Sequence, residues 1–205
     1  MDEKFRFYAL KMCGLCIFVF ILQITIPGFT ELFLLNKEYF LQIWRFLTAI
    51  FLHGNIIHIL YNLFALALFG SILERFIGGR KFLIIFFVTG ILANLVAVNF
   101  YSSSLGASGA IFGIIGALLV IRPGIMVFAF GLPMPLFIAG ILWALGDFIG
   151  LFVPSNVGNI AHLSGMFFGL IFGAVYRNWK YKKIMDYEKY LDERYMRNWE
   201  NNYLR

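Results

Sequence analysis

Ser104-Leu105-Gly106-Ala107-Ser108-Gly109-Ala110-Ile111-Phe112-Gly113 begins a stretch that stays free of charge until Arg122. A Gly-x-Ser-Gly turn therefore opens an apolar helix. Hydrolysis needs water and lipid excludes it, so this serine is an odd choice for packing alone. At a helix start the backbone N–H groups lack intrahelical partners and point from a positive helix end, which suits a developing oxyanion. Gly106 and Gly109 permit a sharp turn and close backbone approach. The structural alternative for Ser108 is a helix cap. Ser102, Ser103 and Ser104 read as ordinary loop residues.

Around this stretch the chain reads as membrane. Of its 205 residues 61% are apolar and 14% charged, and mean hydropathy is +0.82. A soluble domain averages about 45–50% apolar and about 25% charged. The net charge of +6 raises nucleic acid as a partner, but most basic residues flank apolar segments, so no nucleic acid is expected. Six apolar spans are predicted, at 7–26, 54–74, 82–100, 107–121, 134–152 and 160–176, from the need for about 20 apolar residues per crossing. The first is full-length with no small-residue cleavage site, so no cleavable signal peptide is expected. Cys13 and Cys16 lie within it and read as small apolar residues of one helix face. No internal repeat is found, which disfavours a transporter built from inverted halves.

An even number of spans puts both termini on one side, and the basic residues choose it. Lys4, Arg6 and Lys11, then Arg75, Arg80 and Lys81, then Arg122, then Arg177, Lys180, Lys182 and Lys183 fall on that side; Lys37 and Arg45 fall opposite. The positive-inside rule makes it the cytoplasm. The outer loop 27–53 is apolar enough for short helices lying in the interface, and loop 123–133 is expected to skim the inner interface. Residues 1–176 form one expected membrane domain. Residues 177–205 form a charged and aromatic cytoplasmic tail, either a surface-lying helix or disordered. The residues before the first span are few, so no cytosolic domain is expected there.

Depth follows from the 1.5 Å helical rise. Counted from Arg122, Arg177 and Arg75, Ser108 lies roughly 21 Å, His162 roughly 22 Å and Asn62 roughly 20 Å above the inner boundary, and His58 roughly 25 Å. Three independent helices thus bring Ser108, His162 and Asn62 to one level. His53, His58 and His162 are the only histidines, and ionisable groups at membrane depth are usually functional. A neutral His162 could take the Ser108 proton and return it to a leaving amine; the structural alternative is a buried histidine bonded to a neighbouring helix. Gly165, Gly169 and Gly173, facing Gly109, Gly113 and Gly116, form small-residue faces that let the fourth and sixth helices approach. His58 and Asn62 share a helix face and both can donate hydrogen bonds, as an oxyanion hole requires. His53 fits a structural or interfacial role. Arg45, after Trp44, is expected to bond loop carbonyls, with lipid head groups as the alternative. Asp147 is the one acid well inside a span. It is expected to face a partner or water near the rim of the fifth helix rather than to complete a triad. No HExxH pattern or carboxylate beside the histidines supports a metal, and no cofactor is expected.

Together these residues resemble the rhomboid family of intramembrane serine proteases. The matching pieces are Trp44-Arg45, His53-x4-His58-x3-Asn62, Gly106-x-Ser108-Gly109 and Ala161-His162-x2-Gly165, across roughly residues 40–177. The resemblance implies an all-α, six-transmembrane-helix bundle with an interfacial first loop. It implies a Ser108–His162 dyad and an oxyanion hole made by the Ser108 N–H, His58 and Asn62. It also implies a site open to the outer face of a prokaryotic plasma membrane and transmembrane proteins as substrates, cleaved in or beside their spans. Phe112 stands where the family often has Tyr; its ring can still pack on His162. The alternative is a non-catalytic rhomboid-like module that recruits membrane proteins, whose mark would be loss of the nucleophile or base, both present here.

Overall fold

The computed structural model describes residues 5–153 and 157–203. Lys4 and the side chains of Lys180, Lys182, Lys183, Tyr187 and Trp199 lie outside the described residues. The chain is mostly helical. It runs α1 (Tyr8–Thr25), α2 (Phe29–Phe33), β1 (Leu35–Asn36), α3 (Arg45–Thr48), α4 (Ile56–Ala65), a π-helical turn (Leu66–Gly70), α5 (Ser71–Ile77), α6 (Gly79–Ala97), β2 (Ser103–Ser104), α7 (Ser108–Ile121), β3 (Met126–Ala129), β4 (Leu132–Pro135), α8 (Leu136–Gly150) and α9 (Asn159–Tyr203), with short 3-10 turns at Lys37–Tyr39 and Ala49–Phe51. Four helices are long and apolar enough to cross a membrane: Tyr8–Thr25, Ile56–Ile77, Gly79–Ala97 and Asn159–Trp179. The apolar helices α7 and α8, of 14 and 15 residues, are shorter. At the helical rise α7 spans only about 21 Å, less than the hydrocarbon core.

Two features depart from an all-helical reading. The apolar segment after Arg122 is an antiparallel hairpin in which Met126 pairs with Pro135 and Ala129 with Leu132. Its turn residues Phe130 and Gly131 both have positive φ, 54° and 80°, the geometry of a two-residue type I′ turn. The second is a two-residue bridge, Leu35 to Ser104 and Asn36 to Ser103, which ties the first loop to the segment preceding Ser108. α9 passes residue 176 without a break, so the described part of the tail is helical.

α7 is the central element, packed against α6, α8, α9 and the π turn, with nine of its residues from Gly109 to Leu118 buried. Its partner α9 comes close because neither helix carries side chains at the seam. A Cβ added to Gly165 would strike the carbonyl of Gly109, one on Gly169 that of Gly113, and one on Gly116 the carbonyl of Met166. At the other end of the bundle, buried Glu74 accepts hydrogen bonds from the backbone N–H of Arg6 (2.8 Å) and Ala9 (3.1 Å). It thereby satisfies orphan donors at the start of α1, where no side chain of its own caps the helix. Large apolar side chains face outward, among them Phe18, Ile24, Leu60 and Phe64. A lipid-facing surface has this character, and a soluble protein rarely exposes so much of it.

Candidate functional site

The first loop is a scaffold held by backbone acceptors. Arg45 is buried and donates through Nη1 to the carbonyls of Glu31 and Leu34, both at 2.7 Å, and through Nε to Gln42 Oε1 at 2.6 Å. Its partners are groups of the first loop. Trp44 beside it is half exposed. Asn94 of α6 donates to the Phe46 carbonyl at 2.8 Å, and Gly106 N–H donates to the Ala49 carbonyl at 2.9 Å. The turn before Ser108 is therefore bonded directly to the first loop.

His53 is 2% exposed. Its backbone is clasped by Gln23 of α1, which accepts from His53 N–H at 2.9 Å and donates to its carbonyl at 3.2 Å. Its Nδ1 meets the Phe51 carbonyl at 3.2 Å. Burial, with the neighbouring His58 adding to it, holds the imidazole well below its ordinary range, at about 4. The His53 and His58 rings meet edge to face with centroids 5.2 Å apart. Gln23 carried no signal in the sequence, because an uncharged amide in an apolar span has no motif.

Ser108 is the first residue of α7, and Ala107 holds the cap position without a side-chain bond. Gly106 has φ of 124°, a conformation that L side chains rarely adopt. A Cβ there would lie 2.8–2.9 Å from the His58 ring and 3.8 Å from Ser108 Oγ, so His58 and Ser108 flank this glycine. Gly109 in turn lets α7 meet Ala93 of α6 and the Ala161 carbonyl of α9. His58 Nδ1 accepts from Gly54 N–H at 3.4 Å. A neutral ring whose Nδ1 accepts carries its proton on Nε2, ready to donate. Asn62 is buried, and its Nδ2 donates one hydrogen to the His58 carbonyl at 2.8 Å; a second hydrogen remains.

His162 lies one turn into α9. Its ring is stacked on Phe112, centroids 4.3 Å apart and planes at 2°. Its Nδ1 lies 2.9 Å from Asp147 Oδ1 of α8. Asp147 is 8% exposed, and the partner it faces is the His162 ring. The sequence hid this contact, because fifteen residues and a loop separate the two and only the packing of α8 on α9 brings them together. Gly150 allows that packing, since a Cβ there would meet the Asn159 side chain at 2.5–2.9 Å.

Ser108, His162, His58 and Asn62 line one cavity of about 430 Å³, with Gly106, Gly109 and Phe112 in its wall. Ser108, His58 and His162 sit in the first turn of their helices, and Asn62 one turn further along α4. Deeper in the cavity the lining turns apolar, with Leu68 and Phe69 from the π turn, Ile115 from α7, Trp143 from α8 and Phe128 from the hairpin. Tyr61 and Phe64 of α4 also line the cavity and are 73% and 67% exposed, so it opens toward the outer surface of that helix.

Fold and site define a class: a multi-pass helical membrane protein with a serine, two imidazoles and an amide lining one cavity at the start of a short central helix. A rhomboid domain profile matches residues 41–179, and the chain belongs to the rhomboid family. It is similar to proteins named Rhomboid protease GlpG. The one from Yersinia pseudotuberculosis is 28% identical over 171 residues, covering 80% of this chain and 60% of that protein. The one from Haemophilus influenzae is 28% identical over 175 residues, covering 82% and 89%. The match thus spans about 60% of the length of the Yersinia relatives.

Proposed function

We propose that this chain is an intramembrane serine endopeptidase that cleaves membrane proteins in or beside their transmembrane segments. All six apolar helices would cross the bilayer, with α7 and α8 completing the four longer spans. The first loop would lie in the outer interface of a prokaryotic plasma membrane. The observation that carries the reading is that Ser108, His162, His58 and Asn62, from three different helices, line a single cavity. The relatives named as proteases support it.

In this reading Ser108 Oγ attacks the scissile carbonyl while His162 Nε2 takes its proton. The oxyanion is met by the Ser108 backbone N–H, His58 Nε2–H and Asn62 Nδ2–H. The tetrahedral intermediate collapses to an acyl-enzyme as His162 gives the proton to the leaving amine, and a water repeats the sequence to release the acid. A helical peptide bond is shielded and its carbonyl already bonded, so the substrate must unwind before reaching Ser108. The opening beside Tyr61 and Phe64 would receive it between α4 and α8. The apolar part of the cavity suits one of its apolar side chains.

The test is cleavage of a model transmembrane substrate by the purified protein in liposomes, with fluorophosphonate labelling of Ser108. Ser108→Ala and His162→Ala should each abolish cleavage, and the double variant should be hardly worse than either, because the pair acts as a unit. Full cleavage by Ser108→Ala would overturn the reading.

A further inference from the structure

We propose that the outer edge of β3 is a strand-pairing site for the unwound backbone of a transmembrane substrate, on the inward side of the scissile bond. The inference rests on the endopeptidase reading above. Its ground is the hydrogen-bond register of the hairpin. Leu136 N–H donates to the Ile125 carbonyl at 2.8 Å, and facing residues of an antiparallel pair alternate between bonded and non-bonded. Counted from Ile125 and Leu136, the bonded pairs are Val127 with Met134 and Ala129 with Leu132, the pair that closes the turn. The non-bonded pairs are Met126 with Pro135 and Phe128 with Pro133. Their main-chain groups point away from the hairpin on either side. On the β4 side both residues are proline, so that edge offers no N–H. On the β3 side Met126 and Phe128 each present an N–H and a carbonyl, and among the described residues no other element bonds them.

These groups sit in apolar surroundings. Val127 and Ala129 belong to the core, and Met126, Phe128, Phe130 and Leu132 expose apolar side chains. Lipid chains cannot bond a backbone group, and leaving one unpaired in hydrocarbon is costly. An unwound substrate segment carries the same deficit, so pairing the two strands relieves both. The edge is also continuous with the site. Phe128 lines the cavity that holds Ser108 and His162. Phe130 at the turn lies 6.1 Å from the Trp143 ring, and Trp143 precedes Asp147, which meets His162, by one turn of α8. Trp143 is thus about 6 Å from the level of His162. Phe128, two residues back along β3, is up to about 7 Å further. An extended chain that starts at Ser108 covers this distance in about four residues. Pairing through main chain makes no demand on the side chains of the substrate there.

The experiment compares Met126→Pro with Met126→Ala and Phe128→Pro with Phe128→Ala, in the full chain in liposomes. The alanine variants trim the side chain and keep the N–H. The proline variants remove the N–H at positions whose facing residues are already prolines, so the bonds within the hairpin stay. Each variant is given two substrates: the model transmembrane substrate, and a peptide that ends one residue past the scissile bond and cannot reach the edge. On the long substrate each proline variant should fall about 3–10-fold in kcat/KM below the alanine variant at the same position, the worth of one hydrogen bond. On the short substrate the two should agree. Equal cleavage of the long substrate leaves the edge to lipid and overturns the proposal. An equal loss on both substrates makes the effect one of folding and also overturns it, as does a proline variant that dissociates a dimer while cleaving normally, which gives the edge to a second copy. If a proline variant fails to take a fluorophosphonate on Ser108, the wild-type chain decides. Ester bonds in place of the substrate amides two to four residues inward of the cut should then cost a similar factor, and no loss overturns the proposal. Ser108→Ala keeps the two claims apart: if it cleaves like wild type, the hydrolase reading fails; if it is dead while the proline variants match the alanine variants, only the pairing fails.

Discussion

His58 and Asn62 show how far side-chain chemistry can be read at the scale of one residue. The four-residue spacing puts both on one helix face, and the two meet through the Asn62 amide and the His58 carbonyl. The Gly54 bond to Nδ1 then orients the His58 proton onto Nε2. Charge on a carbonyl oxygen appears mainly in the transition state, so such donors act on kcat more than on KM. Two other donors remain when one is lost. His58→Ala and Asn62→Ala are therefore expected to lower kcat about 10–100-fold, less than for a hole with few donors, with KM nearly unchanged. A large rise in KM at constant kcat would make the residue a substrate contact instead. These residues were legible because histidine, asparagine and a serine in a glycine turn are conspicuous against an apolar background. Asp147 was equally conspicuous as an acid but not as a partner. Its contact with His162 depends on which way α8 turns against α9, and no local spacing encodes that.

At the scale of elements, the glycine spacing of α7 and α9 was readable and the hairpin was not. Gly165, Gly169 and Gly173 recur every fourth position, and each approaches a carbonyl one turn further along α7: those of Gly109, Gly113 and Ala117. This seam holds Ser108 and His162 at one height. The hairpin lacks the usual Asn-Gly or Asp-Gly signal, because Phe130 takes the left-handed position at its turn. Its strands are apolar without clear alternation, so the segment resembles an interfacial loop. The π turn at Leu66–Gly70 left no mark either. The seam gives a prediction. Gly169→Val would press a branched side chain on the Gly113 backbone, which cannot yield as a side chain can. Overpacking usually costs about 1–3 kcal/mol; with backbone as the obstacle the upper end is expected, a fall of about 5–10 °C in thermal midpoint. Cleavage should fall with it as His162 is displaced. Gly146→Ala on α8, where a Cβ meets nothing within 4 Å, should leave both unchanged. An unchanged midpoint for Gly169→Val would mean that the helices are not held by this seam.

At the scale of the whole molecule, the open question is which end of the bundle faces the cytoplasm. The basic residues that suggested an answer from the sequence come together in the fold. Arg122 lies 4.8 Å from the Phe76 ring, Arg75 5.9 Å from Phe5, and Lys81 4.9 and 4.3 Å from Tyr176 and Trp179. Cations over aromatic rings at one end of a bundle are what a membrane–water interface favours. The opposite end, where β1 meets β2, has Lys37 and Arg45, and the donors of Arg45 are engaged with loop groups. By the positive-inside rule this asymmetry predicts that the basic end faces the cytoplasm and the Ser108 end the outside. Two cysteine variants test it. Ser103 is exposed beside β1, and Gly124 lies past the far end of α7 with nothing within 4 Å of an added Cβ. Gly79 would be a poor reporter for that side, because the Tyr8 ring occupies the place of its Cβ. The native thiols of Cys13 and Cys16 are buried and give little background. Ser103→Cys should react with a membrane-impermeant thiol reagent in intact cells, and Gly124→Cys only after permeabilisation. The reverse pattern would put the mouth of the cavity in the cytoplasm and require substrates to be cut from that side.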